Sequence, residues 1–104
     1  MTGARVEFSV DAQADVARLA LWVGLDSGEA RAQAVIDRID ATLARLARRP
    51  RLGRIELSFK GEPRVFSVYP WKIVYEPLPE TDGIYVLRIL DSRQNLSALL
   101  GKKT

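Results

Sequence analysis

The spacing of apolar residues along the chain predicts a strand followed by two helices. Residues 5–10 alternate between polar and apolar, which is typical of a strand with one buried face. Over residues 12–25, and again over about residues 28–48, apolar residues recur at helical spacing. Asp11 is placed to cap the first helix, and Asp26 has the spacing of a capping box at the start of the second. Two helices with so short a break predict an antiparallel hairpin.

The second half of the chain follows the two-residue period of strands. Residues 55–59 alternate, and residues 65–69 and 71–75 predict two further strands. Pro70 lies between these two and predicts a tight bend, because proline cannot donate to a sheet ladder. Residues 84–90 are apolar almost throughout, which predicts a central strand buried on both faces.

The order of these elements predicts an α+β fold. Helices that precede a run of strands pack on one face of an antiparallel sheet. We expect a single domain over residues 1–104, in which an N-terminal strand and an antiparallel helical hairpin lie on a small, mainly antiparallel sheet. Residues 95–100 are expected to form one helical turn.

The composition excludes several kinds of site. The chain has neither cysteine nor histidine, which excludes disulfides, thiolate nucleophiles and the usual zinc sites. The glycines stand at turns and belong to no phosphate-binding motif, so we expect no cofactor and no metal. No signal peptide and no membrane-spanning apolar run is visible, so we expect a cytoplasmic protein without membrane contact.

Positive charge is concentrated in one stretch of the chain. The net charge is +3 and the pI about 9.6. Five arginines within ten residues suit a nucleic acid or an acidic protein surface. They also suit a solvated helix end, where cations offset the helix dipole. This possible basic patch consists of Arg45, Arg48, Arg49, Arg51 and Arg54.

Further cations lie on or beside the predicted strands. One face of the sheet could bring together Arg64, Lys72 and Arg93. Arg88 is the one charged residue in the otherwise apolar central strand. Such a basic strand face would suit a phosphate-rich or carboxylate-rich partner. The alternative is a set of separate surface cations.

Aromatic and acidic residues complete the candidates. Tyr69, Trp71 and Tyr75 could stack against a partner, or they could be core residues and cross-strand pairs. Asp91 could act as a general base or pair with Arg93.

Five segments, taken in order, resemble the ParE/RelE superfamily of bacterial toxins. The likeness extends over about residues 6–100. It includes the family pattern "L-x-x-x-P-x-x-G" and a strand that resembles "Y-x-I-x-Y". The segments are residues 11–16, 46–53, 64–68, 69–75 and 84–93. The resemblance implies the toxin of a type II toxin–antitoxin pair.

One branch of this superfamily, RelE, consists of ribosome-dependent mRNA endonucleases. They use basic residues on these strands and a tyrosine near the C-terminus. By position, Arg64 and Arg93 match two of the basic residues and Lys72 replaces an arginine. Phe66 stands where that branch has a lysine, and the tyrosine position falls at about Leu99, which has no hydroxyl for proton transfer.

The resemblance is closer to the ParE branch, which has the fold without the nuclease residues. It implies no catalytic residue and an action by binding DNA gyrase and stalling it on cleaved DNA. Asp91 stands where ParE-like proteins usually carry histidine. Two alternatives stay open: RelE-like cleavage of mRNA that uses Arg64, Lys72 and Arg93, and an inactive relic that still binds an antitoxin.

The resemblance also implies a cognate antitoxin as the principal partner, in a hetero-oligomer. In this family the C-terminal segment of the antitoxin wraps the toxin and folds as it binds. A groove between the helical hairpin and the sheet would accept an acidic amphipathic helix and an added edge strand. DNA gyrase is the second implied partner.

Overall fold

The described part of the chain forms two layers, with both helices packed on one face of a five-stranded sheet. The computed structural model describes residues 4–79, 81–92 and 101. The predicted α+β fold is confirmed. The elements are β1 (Arg5–Phe8), α1 (Val10–Ser27), α2 (Glu29–Arg48), β2 (Arg54–Ile55), β3 (Arg64–Val68), β4 (Trp71–Pro77) and β5 (Gly83–Asp91).

The last strand, β5, lies inside the sheet, whose strand order is β1-β5-β4-β3-β2. β1 pairs parallel to β5, and the other neighbours pair antiparallel. The core beneath the helices includes Ile84, Val86 and Ile89 of β5. Leu90 is also buried, but it does not belong to this core. The predicted central position of this strand is confirmed, whereas burial on both faces is confirmed only in part, because Tyr85 and Leu87 are only partly buried.

The main core lies between the helices and the sheet. α1 contributes Leu19 and Val23, and α2 contributes Ile39, Leu43 and Leu46. These residues recur at three- and four-residue spacing, which places them on the inward face of each helix. Each helix is held on the sheet mainly by burying this one apolar stripe.

Ser9 sets the start of α1. Its Oγ accepts a hydrogen bond from the backbone nitrogen of Ala12 at 2.9 Å and donates one to the carbonyl of Leu87 at 2.7 Å. The serine thus caps the helix and ties it to β5. The prediction that Asp11 is the cap is wrong, because Asp11 lies in the first turn. Val10, predicted to end the first strand with its side chain buried, is the first helical residue and is exposed.

A single glycine joins α1 to α2. Gly28 has a φ of 88°, which residues with a Cβ rarely adopt. Its N–H donates to the carbonyl of Gly24 at 2.9 Å. The predicted capping box at Asp26 is wrong, since Asp26 lies within α1 and no side chain caps α2. The helical hairpin itself is confirmed.

The segment predicted as a strand over residues 55–59 is mostly a turn. Only β2 pairs with β3, and beyond it the N–H of Phe59 donates to the carbonyl of Glu56 at 3.3 Å. Phe59 is buried, whereas Leu57 is exposed. The prediction is wrong over residues 57–58, which form a turn, and Phe59 forms only an isolated bridge.

Pro70 forms the tight bend between β3 and β4, as predicted. The Tyr69–Pro70 peptide bond is cis, and Val68 pairs with Trp71 directly across the turn. Arg38 of α2 donates from Nη2 to the carbonyl of Tyr69 at 2.5 Å, which ties the turn to the helical layer.

Two further expectations concern the ends of the chain and membranes. The helical turn predicted over residues 95–100 lies outside the described residues. Among the helices that are described, none has the length and the apolar character needed to cross a bilayer.

Candidate partner-binding surfaces

A row of large apolar side chains on α1 is left uncovered by the rest of the described chain. Leu21, Trp22 and Leu25 have exposed fractions of 64%, 54% and 81%. They are additional to the stripe that α1 buries against the sheet. Clustered exposed apolar residues mark an interaction surface, whereas single ones need no explanation.

The row forms one wall of an open groove with a volume of ≈ 600 Å³. Trp71 at the start of β4 and Ile89 near the end of β5 also line this α1–β4 groove. Trp22 meets Trp71 edge to face, with ring centroids 6.3 Å apart and ring planes at 86°. Such a pair adds about 0.5–1.5 kcal/mol beyond area burial, so it helps to fix the shape of the groove. Because Trp22 stays half-exposed, part of its indole remains available to a partner.

A buried carboxylate, Asp15, also lines the groove and joins α1 to β5. Its Oδ2 accepts hydrogen bonds from Arg88 Nε at 2.8 Å and from the backbone nitrogen of Ile89 at 2.9 Å. Its Oδ1 accepts from Arg88 Nη2 at 3.0 Å and from Arg18 Nη2 at 2.6 Å. Burial by itself would raise the pKa of Asp15, but the hydrogen bonds from Arg88 and Ile89 outweigh it, and the pKa lies below its ordinary value. Asp15 is therefore an ionised anchor that fixes one wall of the groove against the sheet.

Two of the cations predicted to share one face of the sheet, Arg64 and Lys72, lie on different faces. Arg64 pairs with Tyr75 across the β3–β4 ladder, whereas Lys72 pairs with Ser67. Because side chains alternate between faces along a strand, Arg64 and Lys72 lie on opposite faces. The prediction that these two side chains converge is wrong. The pairing register of the strands, and not proximity in sequence, decides on which face of the sheet a side chain lies. Arg93 lies outside the described residues, and a role of these residues in binding stays a prediction.

Two of the strand arginines are engaged within the chain. Arg64 donates from Nη1 to the carbonyls of Gly53 at 2.7 Å and Arg51 at 3.2 Å. The side chain of Arg88 is 17% exposed and is paired with Asp15. The hydrogen bond to Asp15 raises the pKa of Arg88 against the opposite effect of burial. Both arginines therefore already act as structural ties.

The three candidate binding aromatics lie in different environments. Tyr69, at the β3–β4 turn, is 79% exposed. Trp71 is buried beside Trp22 in the groove, and Tyr75 is 0% exposed in the core. Tyr69 and the groove pair can touch a partner, whereas Tyr75 has no accessible surface to offer.

Tyr75 instead organises the segment that follows α2. Its Oη donates to the carbonyl of Pro50 at 2.8 Å and accepts from the backbone nitrogen of Gly53 at 2.7 Å. Burial raises the pKa of Tyr75, and the hydrogen bond from Gly53 offsets only part of this rise, so the hydroxyl keeps the proton that it donates. A Cβ at Gly53 would approach the Tyr75 oxygen to 2.5 Å. This contact explains why glycine ends the pattern over residues 46–53.

The predicted basic patch is fully on the surface. We call residues 45–54 the arginine loop, because all five of its arginines are exposed. Arg45 lies over the ring of Phe66 at 5.7 Å from its centroid, and Arg54 pairs with Glu56 at 3.2 Å. The segment thus presents its guanidinium groups to solvent around a fixed main chain.

Two titratable side chains are buried among the described residues. These groups, Asp15 and Tyr75, are engaged in the hydrogen bonds given above. Asp37 and Asp40 are exposed on α2, and within the described residues no group of three or more acidic side chains is placed to hold a metal ion.

The sequence prediction missed the apolar row that forms the groove. The available signal was a second set of apolar positions on α1, Leu21 and Leu25, outside the stripe that points to the core. Trp22 lies beside this second set and meets Trp71 of β4.

These features define a small α+β protein with a helical hairpin on a mixed sheet and an uncovered apolar groove beside the hairpin. The chain belongs to the ParE toxin family of type II toxin–antitoxin systems, whose model, described as the ParE toxin of parDE, matches residues 6–96. The resemblance inferred from the sequence segments is therefore confirmed.

Similar proteins agree with this assignment. The chain is 43% identical over 79 residues to Toxin ParE3 of Caulobacter vibrioides, over 76% of this chain and 77% of that protein. Its fold is similar to that in the chromosomal ParDE system from P. aeruginosa (TM-score 0.67, 17% identity, 83% of this chain and 92% of that chain). It is also similar to that in the RelBE2 toxin–antitoxin complex from Mycobacterium tuberculosis (TM-score 0.61, 17% identity, 86% and 99%). At 17% identity, these two structures bear on the fold alone.

Proposed function

We propose that this ParE-family toxin acts in the cytoplasm by binding and inhibiting DNA gyrase, without catalysis of its own. The observation that carries this choice is the dispersal of the strand cations that a RelE-like nuclease would bring together. Arg64 and Lys72 lie on opposite faces of the sheet, and Arg88 is held by Asp15. The RelE tyrosine position at about Leu99 supports the same choice.

We also infer that a cognate antitoxin neutralises this toxin by wrapping it with a C-terminal segment. The α1–β4 groove has the form that receives the apolar face of an amphipathic helix. Arg18, whose side chain is 66% exposed beside this groove, would attract acidic residues on such a helix. The ParDE system and the RelBE2 complex are themselves toxin–antitoxin assemblies by name, which supports an antitoxin as the occupant.

The outer edge of β3 supports a second contact with the same segment. β2 pairs only with Arg64 and Val65, so residues 66–68 have no outer strand among the described residues. An exposed edge of this kind accepts an added strand through main-chain hydrogen bonds. A single antitoxin segment that enters as a helix and continues as a strand would cover both features.

The test of the target measures gyrase and ribosome activity side by side. Purified chain is added to gyrase with plasmid DNA and, separately, to translating ribosomes with a labelled mRNA. Inhibited supercoiling with trapped gyrase–DNA adducts and intact mRNA is the expected result. Ribosome-dependent cutting of mRNA with unaffected supercoiling would assign the RelE-like activity instead. Normal growth on expression without antitoxin, with neither activity in vitro, would identify an inactive relic.

The antitoxin is tested independently of the target. The toxin and its cognate antitoxin are co-expressed and examined by size-exclusion chromatography and calorimetry. A stable hetero-oligomer that restores growth is the expected result. If purified antitoxin forms no stable complex with this chain, the proposed partner is wrong whatever the target proves to be.

A further inference from the structure

We propose that the arginine loop binds the phosphate backbone of duplex DNA without reading its sequence. Among the described residues, the only ion pair that involves the loop is Arg54 with Glu56, on the surface. Arg48, Arg49 and Arg51 are exposed and form no ion pair with any described carboxylate. This density of uncompensated guanidinium groups suits a polyanion.

The helix dipole accounts for only part of this cluster. Arg45 and Arg48 lie in the last turn of α2, where a cation offsets the negative helix end. That effect falls off beyond the last turn, and Arg49, Arg51 and Arg54 lie past it. Because Arg54 pairs with Glu56, Arg49 and Arg51 are the two arginines beyond the helix that neither effect accounts for.

The main chain that carries these arginines is fixed before any partner arrives. Tyr75 bonds to Pro50 and Gly53, and Arg64 bonds to the carbonyls of Arg51 and Gly53. Both ties come from strands of the sheet, so the loop moves with the rigid core. A preorganised loop loses less conformational freedom on binding than a mobile one.

The chemistry of the loop favours phosphate groups over bases. Its five cations are all arginines, whose planar fork matches a phosphate oxygen pair. Residues 45–54 contain no aromatic residue, so they offer no platform on which single-stranded bases could stack. Arg49 and Arg51 line a surface depression together with Asp82. Because the carboxylate of Asp82 would repel phosphate groups, we expect DNA to contact the other side of the loop. Duplex DNA presents regularly spaced phosphates and requires no stacking.

The loop is separate from the α1–β4 groove. β4 begins at Trp71, which lines the groove, and ends at Pro77, which lines the depression beside the loop. Seven residues of strand, at about 3.3 Å each, place this depression about 20 Å from Trp71. A helix seated in the groove would leave the loop accessible. DNA binding by the loop does not depend on gyrase being the target.

The experiment measures the affinity of the full chain for a fluorescently labelled, random-sequence duplex by anisotropy over a series of salt concentrations. Neutralising three or four phosphates predicts a slope of about −3 in the logarithm of affinity against the logarithm of salt concentration. Arg51→Glu should weaken binding and reduce the magnitude of the slope by about 1. Its side chain makes no hydrogen bond among the described residues, so thermal melting should be unchanged.

The matched control is Arg31→Glu, which makes the same change of charge at an exposed site near the start of α2. It should leave the slope unchanged. Equal losses in the two variants, or no binding at low salt, would overturn the proposal. Binding of a glutamate-rich peptide that depends on Arg51, without binding of DNA, would also overturn it and assign the loop to an acidic protein segment. Gyrase inhibition is a separate readout, so either result can be obtained without the other.

Discussion

The hydroxyl oxygen of Tyr75 lies 2.7 Å from the backbone nitrogen of Gly53, and the tyrosine ring occupies the space that a side chain at position 53 would need. A Cβ there would lie 2.5 Å from the hydroxyl oxygen and 2.8 Å from Cε1. Because Tyr75 is fully buried, it cannot move aside. Gly53→Ala should therefore lower the free energy of unfolding by about 1–3 kcal/mol, as overpacking does. Urea unfolding followed by circular dichroism measures this change.

Gly24→Ala is the control for that substitution, because it adds the same methyl group where there is room. The added Cβ would make ordinary contact with Ala32 Cβ at 3.9 Å inside the helical hairpin. Alanine is the better helix former, so the expected change is a gain of about 0.5–1 kcal/mol. Equal effects at the two glycines would show that the close approach to Tyr75 is not the cause.

Tyr75→Phe should destabilise the protein without changing its shape. The substitution leaves the N–H of Gly53 and the carbonyl of Pro50 without their partner in a buried place, at a cost of about 1–3 kcal/mol. Hydrogen exchange at the Gly53 amide should become faster as the loop loosens. Tyr85→Phe, at a partly exposed strand position, provides the control. An unchanged Gly53 amide in Tyr75→Phe would contradict the assigned tie.

Asp15→Asn tests the anchor between α1 and β5. At neutral pH the free energy of unfolding should fall by about 2–3 kcal/mol, because Arg88 would keep its charge in a largely buried place without a carboxylate partner. Thermal and urea unfolding measure it, and Asp40→Asn on the exposed face of α2 is the control.

The same carboxylate gives stability a defined pH dependence. The pKa of Asp15 is lower in the folded protein than its ordinary value of 3.8. The unfolded chain therefore binds this proton more readily, and the stabilisation is fully present above the unfolded pKa and is lost as pH falls through the folded one. The difference in stability between wild type and Asp15→Asn should shrink as pH falls below about 3.8. A difference that stays constant down to the acid transition would contradict this pKa shift.

Leu25→Glu should weaken antitoxin binding while leaving the fold intact. Leu25 is 81% exposed, so its replacement costs little stability, but a carboxylate would then lie in the apolar wall of the groove. We expect the affinity for the antitoxin to fall about 30-fold or more, the effect of losing a strong interface residue. Val10→Glu is the matched control, because it also replaces an exposed apolar side chain with a carboxylate. Val10 is 82% exposed but lies outside the groove. If both variants bind alike, the groove is not the site.

Local periodicity was sufficient to predict most elements and the fold class. The helical stripes with Leu19 and Leu43 and the apolar strand over residues 84–90 each have one dominant spacing, and the structure follows it. Residues 55–59 have the same alternation, but the ladder with β3 ends at Ile55 and residues 57–58 form a turn, because a strand also needs a neighbour with which to pair. Ser9 rather than Asp11 caps α1, because the backbone at Ser9 turns its Oγ toward Ala12.

The order of segments that resemble the superfamily indicated the family. Short-range spacing and charge by themselves determined the α+β order of elements and the cluster of arginines after the second helix. Only the tertiary structure decided which cations meet. The β3–β4 register separates Arg64 from Lys72, and the packing of α1 on β5 brings Asp15 to Arg88, 73 residues away. It also decided that Leu21, Trp22 and Leu25 are uncovered, since a helix has more apolar surface here than the sheet beneath it can bury. Side chains far apart in sequence share a site only through strand register and helix packing, which no local pattern specifies.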